Sequence, residues 1–147
     1  MKKMFETIFV LGLMLTGILC VVACNSKLDV QQVYEFDMAI LPVQNKIVAG
    51  EEAEIRCELV REGVYRETEY YIRYFQPEGK GQLRLEDGTI LLPNDLYLLE
   101  KEVFRLYYKS MSTDQQTIDI YIVDSHGQTI QKTFSFNNES QDKEREE

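Results

Sequence analysis

The stretch Gly50-Glu51-Glu52-Ala53-Glu54-Ile55-Arg56-Cys57-Glu58-Leu59 decides the fold class. Ala53, Ile55, Cys57 and Leu59 alternate with Glu54, Arg56 and Glu58. A side-chain period of two belongs to an extended strand with one buried and one wet face. Upstream, Tyr34, Phe36, Met38 and Ile40 alternate with Glu35, Asp37 and Ala39 until Pro42, and a short apolar piece, Ile47-Val48-Ala49, leads back to Gly50. Downstream, residues 69–76 place Tyr70, Ile72 and Tyr74 on one face and Tyr71, Arg73 and Phe75 on the other, so aromatics on both sides predict a central strand.

Pro77-Glu78-Gly79-Lys80-Gly81 reads as a loop, followed by a short strand over residues 82–86 that Asp87-Gly88 stops. Residues 89–101, with Pro93-Asn94-Asp95 inside them, read as a loop or short edge strands crossing between sheets. Phe104, Leu106 and Tyr108 then share one face, residues 110–116 read as a polar loop, and Ile118, Ile120 and Ile122 share the face of the next strand. Asp124-Ser125-His126-Gly127 closes a hairpin onto a last strand over residues 129–136. There Lys132 has the parity of Phe134 and Phe136, which places it at a rim or demands a bulge. About seven strands, spaced roughly 8 to 16 residues apart without helical periodicity, predict an all-β chain folded as an immunoglobulin-like β-sandwich, with a barrel as the alternative. The missing cysteine pair and tryptophan exclude only the antibody subclass.

Ahead of the strands stands a leader. Lys2 and Lys3 make a basic start, and an apolar run from Ile8 to Val22 is broken only by glycines, one threonine and Cys20. That is the layout of a signal peptide, shorter than the roughly 20 apolar residues a spanning helix needs. Val21-Val22-Ala23-Cys24 has the form of a bacterial lipobox, with the small Ala23 before the cysteine; Leu19 before Cys20 does not fit. Cleavage after Ala23 with lipid on Cys24 is the expectation, and three acyl chains at about 0.8 kcal/mol per methylene would hold the protein on a membrane. The expected organisation is a signal peptide over 1–23, a tether over 24–32, the sandwich over 33–137 and a disordered acidic tail over 138–147. The polar linker from Asn25 to Gln32 is short, so the sandwich stays near the bilayer.

The chain of 147 residues carries 16 Lys and Arg against 25 Asp and Glu, a net charge of −9, and removing the leader makes it more acidic still. Such a charge repels phosphate, and no basic cluster or arginine-rich aromatic motif offsets it, so direct nucleic-acid binding is not expected. With Cys24 lipidated and Cys20 removed, Cys57 has no disulfide partner and reads as a small buried hydrophobe.

Catalytic constellations are missing. The one histidine, His126, sits in a hairpin turn, and no nucleophile elbow, phosphate loop, zinc-binding helix or cysteine pair occurs. No enzyme activity, cofactor, metal site or small-molecule substrate is expected. What stands out is aromatic. If the third, sixth and seventh strands lie side by side, Tyr71, Arg73 and Phe75 face outward beside Asp119, Tyr121 and Val123. Tyrosine, phenylalanine and arginine are enriched in binding patches, while the alternative is ordinary cross-strand packing of these rings.

The leader through Cys24 and the runs Tyr34-Glu35-Phe36-Asp37-Met38, Gly50 to Cys57, Tyr71-Ile72-Arg73-Tyr74-Phe75-Gln76-Pro77 and Phe104-Arg105-Leu106-Tyr107-Tyr108 resemble the TraQ-type conjugal transfer proteins carried on conjugative transposons of Bacteroides and related bacteria. The resemblance extends to about Phe136. It implies an accessory part of a DNA-transfer apparatus in the cell envelope, and it brings no catalytic residue with it. The resulting expectation is a lipid-anchored interaction module whose partners are the membrane and other conjugal transfer proteins. The rival is a surface-binding lipoprotein, an adhesin for a glycan or host protein. Asn25-Ser26-Lys27 after the cysteine lacks an acidic export run, so the outer membrane's periplasmic side is the expected location.

Overall fold

The computed structural model describes residues 1–4, 6, 34–63 and 67–138. The chain divides into two units, residues 1–32 and 33–147, and the strands of the described residues lie in the second. Cys24, the rest of the tether and the tail from residue 139 lie outside the described residues.

Among the described residues ten strands form, seven of them five residues or longer: β1 (Phe36–Ile40), β3 (Glu52–Arg61), β4 (Tyr70–Glu78), β5 (Gly81–Leu85), β8 (Val103–Ser110), β9 (Gln116–Asp124) and β10 (Thr129–Asn138). The remaining three, β2 (Lys46–Ile47), β6 (Ile90–Leu91) and β7 (Tyr97–Leu98), are two residues each. They arrange as two five-stranded sheets, β1-β3-β8-β5-β6 and β2-β10-β9-β4-β7. Counting only the long strands, the first to seventh occupy the places of A, B, C, D, E, F and G in a constant-type immunoglobulin domain, with ABED facing CFG. The predicted sandwich is therefore present, and the third, sixth and seventh long strands do lie side by side.

The quoted stretch behaves as its period demands. In β3, Ala53, Ile55, Cys57 and Leu59 are buried. They meet Ile72 and Tyr74 of β4, Ile118, Ile120 and Ile122 of β9, and Phe134 and Phe136 of β10 in one core. Burial of each such aliphatic side chain contributes about 1.5–3 kcal/mol. Antibody domains bridge strands B and F with a disulfide. Here β3 supplies Cys57 and β9 supplies isoleucines, and burial pushes the Cys57 thiol up to about 12.

Two aromatic pairs join the sheets at opposite ends. At the end where the chain enters, Phe36 of β1 meets Tyr70 of β4 edge-on, with ring centroids 5.0 Å apart. At the far end, where β10 leaves at Asn138, Tyr108 of β8 stacks on Phe136 at 5.1 Å. The entry end is acidic. Glu62 N–H donates to Glu35 O, Leu59 N–H to Glu102 O and Ser125 N–H to Glu69 O, which gathers these glutamates and Glu100 there with Arg61 and Lys101. Arg61 is ion-paired with Glu102.

Several sequence expectations need correction. Pro77 and Glu78 are not loop but the end of β4, where the pairing with β9 slips between Phe75 and Glu78. A bulge at that point tolerates the proline, which has no N–H to give a ladder. Ser110 and Gln116 are not loop residues either: they end β8 and begin β9, and both are fully buried. Asn138 belongs to β10 rather than to the tail, and its side-chain amide donates to Thr113 O at 2.6 Å. Residues 89–101 cross between sheets as predicted, with β6 at the edge of one and β7 at the edge of the other. Lys132 resolves as a rim residue, because β10 keeps an unbroken register with β9 from Thr129 to Phe136 and the ammonium reaches Asp37 of β1 at 2.8 Å. That partner holds the Asp37 carboxyl below the usual range.

Candidate functional site

The outer face of the β10-β9-β4-β7 sheet brings together every aromatic residue that the sequence nominated for binding. The register aligns Leu98 with Tyr71 and Val123, Arg73 with Tyr121, and Phe75 with Asp119. Residues directly opposite across an antiparallel pair point to the same side, so these residues form one patch. Phe75 and Leu98 are exposed, while Tyr71, Arg73 and Tyr121 are half-buried. Leu98 was not foreseen; its signal was too short, a two-residue strand inside the least periodic segment.

Cross-strand packing accounts for part of the patch. The Arg73 guanidinium lies over the Tyr121 ring, 4.8 Å from its centroid, a stacking worth about 0.5–1 kcal/mol where exposed. Arg73 Nε is buried there and makes no hydrogen bond. The Tyr71 hydroxyl donates to Glu69 at 2.7 Å, which raises its pKa. Phe75, opposite Asp119 near the bulge, leaves 42% of its surface in water. The patch thus offers flat apolar rings beside one cation, the chemistry of a surface that binds another surface.

The opposite face of the sandwich differs. Arg84 forks onto Glu52 at 2.9 and 3.1 Å and lies over Tyr107 at 4.1 Å, while Arg56 and Arg105 both reach Glu54. Its three arginines are thus paired with two glutamates of the same face. A recess of about 250 Å³ near the β5–β6 turn is lined by Leu85, Tyr97, Leu99 and Phe104 together with Glu86, Asp87, Glu100 and Lys101. Asp87 accepts the Thr89 N–H at 2.8 Å, which holds its carboxyl below the usual range, the behaviour of a turn cap rather than a proton donor. Among the described residues no three His, Cys, Asp or Glu side chains gather as a metal site. His126 rests in the β9–β10 turn, its Nε2 3.3 Å from Thr68 Oγ1. That turn is organised by buried Asp124, whose Oδ1 accepts from His126 N–H and Gln128 N–H.

Comparison with known proteins fits this picture. The sequence model of the TraQ conjugal transfer protein matches residues 7–139. A solved lipoprotein from Bacteroides thetaiotaomicron is 58% identical over 82% of this chain and 92% of its own, with a TM-score of 0.68. A conjugative transposon lipoprotein from Bacteroides eggerthii is 44% identical over 72% of this chain and 100% of its own, with a TM-score of 0.68. A conjugate transposon protein from Bacteroides vulgatus is 49% identical over 76% and 91%, with a TM-score of 0.65. No curated protein matches.

Proposed function

The chain belongs to the TraQ conjugal transfer protein family, and from that membership we propose that it is a lipid-anchored, non-catalytic accessory protein of a conjugative transposon's DNA-transfer apparatus. Cys24 carries the lipid, and the sandwich works close to the membrane on a short tether, at the periplasmic side of the outer membrane. Two of the solved relatives bear the name lipoprotein, which supports the anchor. The outer face built from Tyr71, Arg73, Phe75 and Tyr121 docks another transfer protein. The observation that carries this role is the exposed Phe75 and Leu98 lying beside the half-exposed Tyr71 and Tyr121 on one face, whereas the arginines of the opposite face are taken up by Glu52 and Glu54.

Two measurements test the reading. Cys24→Ser abolishes acylation and lowers transfer frequency in donor cells by about tenfold or more while the domain stays folded, since single-signal or absent lipid gives no stable anchoring. Full transfer by a soluble Cys24→Ser protein at native expression would remove the tether from the mechanism. Replacing Tyr71 and Tyr121 together with serine leaves the melting temperature within a few degrees, about 1 kcal/mol, because both rings are half-exposed, yet lowers transfer as strongly as loss of the anchor. Lost stability with unchanged transfer of the residual folded protein would assign the rings to packing, and glycan-array binding by the domain would favour an adhesin.

A further inference from the structure

β10 pairs with β9 on one side over residues 129–136, while on its other side, among the described residues, only Asn137 and Asn138 have a strand partner, β2. Asn137 N–H, which points away from β9, donates to Asn45 O at 2.8 Å. Strand geometry alternates every residue, so the N–H and C=O groups of Thr129, Gln131, Thr133 and Ser135 point to that same outer edge. Among the described residues no strand pairs with them there. The other margins are shorter or partly covered: β6 and β7 have two residues each, β1 has five, and on β4 beyond β7 the Tyr74 carbonyl accepts from Asn94 N–H. The β10 edge has neither proline nor bulge, the devices that usually blunt an exposed edge. It does hold an inward-pointing charge, Lys132, at the centre of the free run.

We propose that this edge accepts an extended segment of a partner protein as an added strand, and that Lys132 selects a segment with an acidic residue opposite it. The position of Lys132 argues against a second copy of this chain. Edge-facing groups sit on odd-numbered residues, so two copies overlapping fully over residues 129–135 must align antiparallel about residue 132. Lys132 then lies directly across from its twin in a close, non-hydrogen-bonded pair, where like charges repel. An acidic residue in a foreign strand meets the same ammonium favourably, replacing the Asp37 carboxylate, whose side chain is 65% exposed. Because Asp37 is the exposed member of the pair, giving up its carboxylate for another costs little. The outward face of the added strand continues that of Thr129, Gln131, Thr133 and Ser135, all exposed and uncharged, so threonine-like residues suit it. This edge is separate from the aromatic face and does not rest on it.

Amide hydrogen exchange on the full-length protein tests the idea, with a seven-residue Thr/Val-alternating peptide carrying a central Glu as the probe. In the free protein the amides of Thr129, Gln131, Thr133 and Ser135 should exchange fast and those of Ile130, Lys132 and Phe134, held by β9, slowly. The peptide should slow the first four by about tenfold or more. A peptide with Lys in place of Glu should not, and Lys132→Glu should reverse that preference. Thr133→Pro, which removes an edge donor but no ladder bond, should abolish the effect while Ile130 and Phe134 stay protected. Protection of the four amides in the free protein overturns the proposal: if independent of concentration the chain covers its own edge, and if concentration-dependent two copies pair. Equal response to both peptides, or none, also overturns it. The serine replacements of Tyr71 and Tyr121 should leave the peptide response intact, which separates failure here from failure of the aromatic face.

Discussion

Tyr108→Ala is expected to lower the unfolding free energy by about 4 kcal/mol, within the range for truncating a fully buried ring. Tyr108 is inaccessible to solvent, stacks on Phe136 and links the two sheets at the far end of the sandwich. Its hydroxyl is the hub of a buried polar chain. Gln76 Nε2 donates to it at 2.7 Å, it donates to Gln116 Oε1 at 2.7 Å, and Gln116 Nε2 donates onward to Ser110 Oγ at 2.6 Å. Burial pushes the phenol up to about 12, so it keeps its proton and this donor role at any physiological pH. Truncation opens a cavity and leaves the Gln116 carbonyl without its donor, and a stranded buried group costs about 1–3 kcal/mol by itself. Urea denaturation followed by circular dichroism should show a lower midpoint with an unchanged slope. A loss below about 1 kcal/mol would mean that the end of the sandwich re-packs freely.

Gly81→Ala should cost about 2 kcal/mol by overpacking. The cause is steric. An added Cβ would collide with the Tyr108 ring and hydroxyl, and that ring is pinned between Phe136 and two glutamines. Gly50, Gly88 and Gly127 differ, with φ near +90° and open space around a new Cβ, so they are required by backbone conformation instead. The two effects can be separated. In the Tyr108→Ala background the colliding atoms are gone, so Gly81→Ala should become nearly neutral, and the double variant should be less destabilised than the sum. Additive losses would place the strain elsewhere than at the ring.

These residues also mark where sequence reading stops. Alternation located the long strands other than β5, which the turn residues on either side marked, because burying one face imposes a period of two whatever the neighbours are. It also chose the face of Tyr108 and put Tyr71, Arg73 and Phe75 on the outside. It failed where polar residues are buried. Ser110 and Gln116 look like loop by composition, and only a partner 32 residues from Gln76 and 8 from Gln116 reveals why they can enter the core. Pro77 misled for a related reason, since the bulge that admits it is a property of the β4–β9 pair and not of either strand alone. Leu98 joined the aromatic patch through a two-residue pairing, too short to leave a period. The patch was legible as parity, but its stacking and orphaned donor were not, because both depend on how Arg73 and Tyr121 meet across strands.

The direction of the strands has a further consequence. Residue 34 stands at one end of the sandwich and Asn138 at the other, and the ten residues of β10 measure about 33 Å between them. The entry end carries Glu35, Glu62, Glu69, Glu100 and Glu102 against Arg61 and Lys101. The chain therefore enters and leaves the sandwich a full strand's length apart, and the neighbours that residue 34 meets are not those that Asn138 meets.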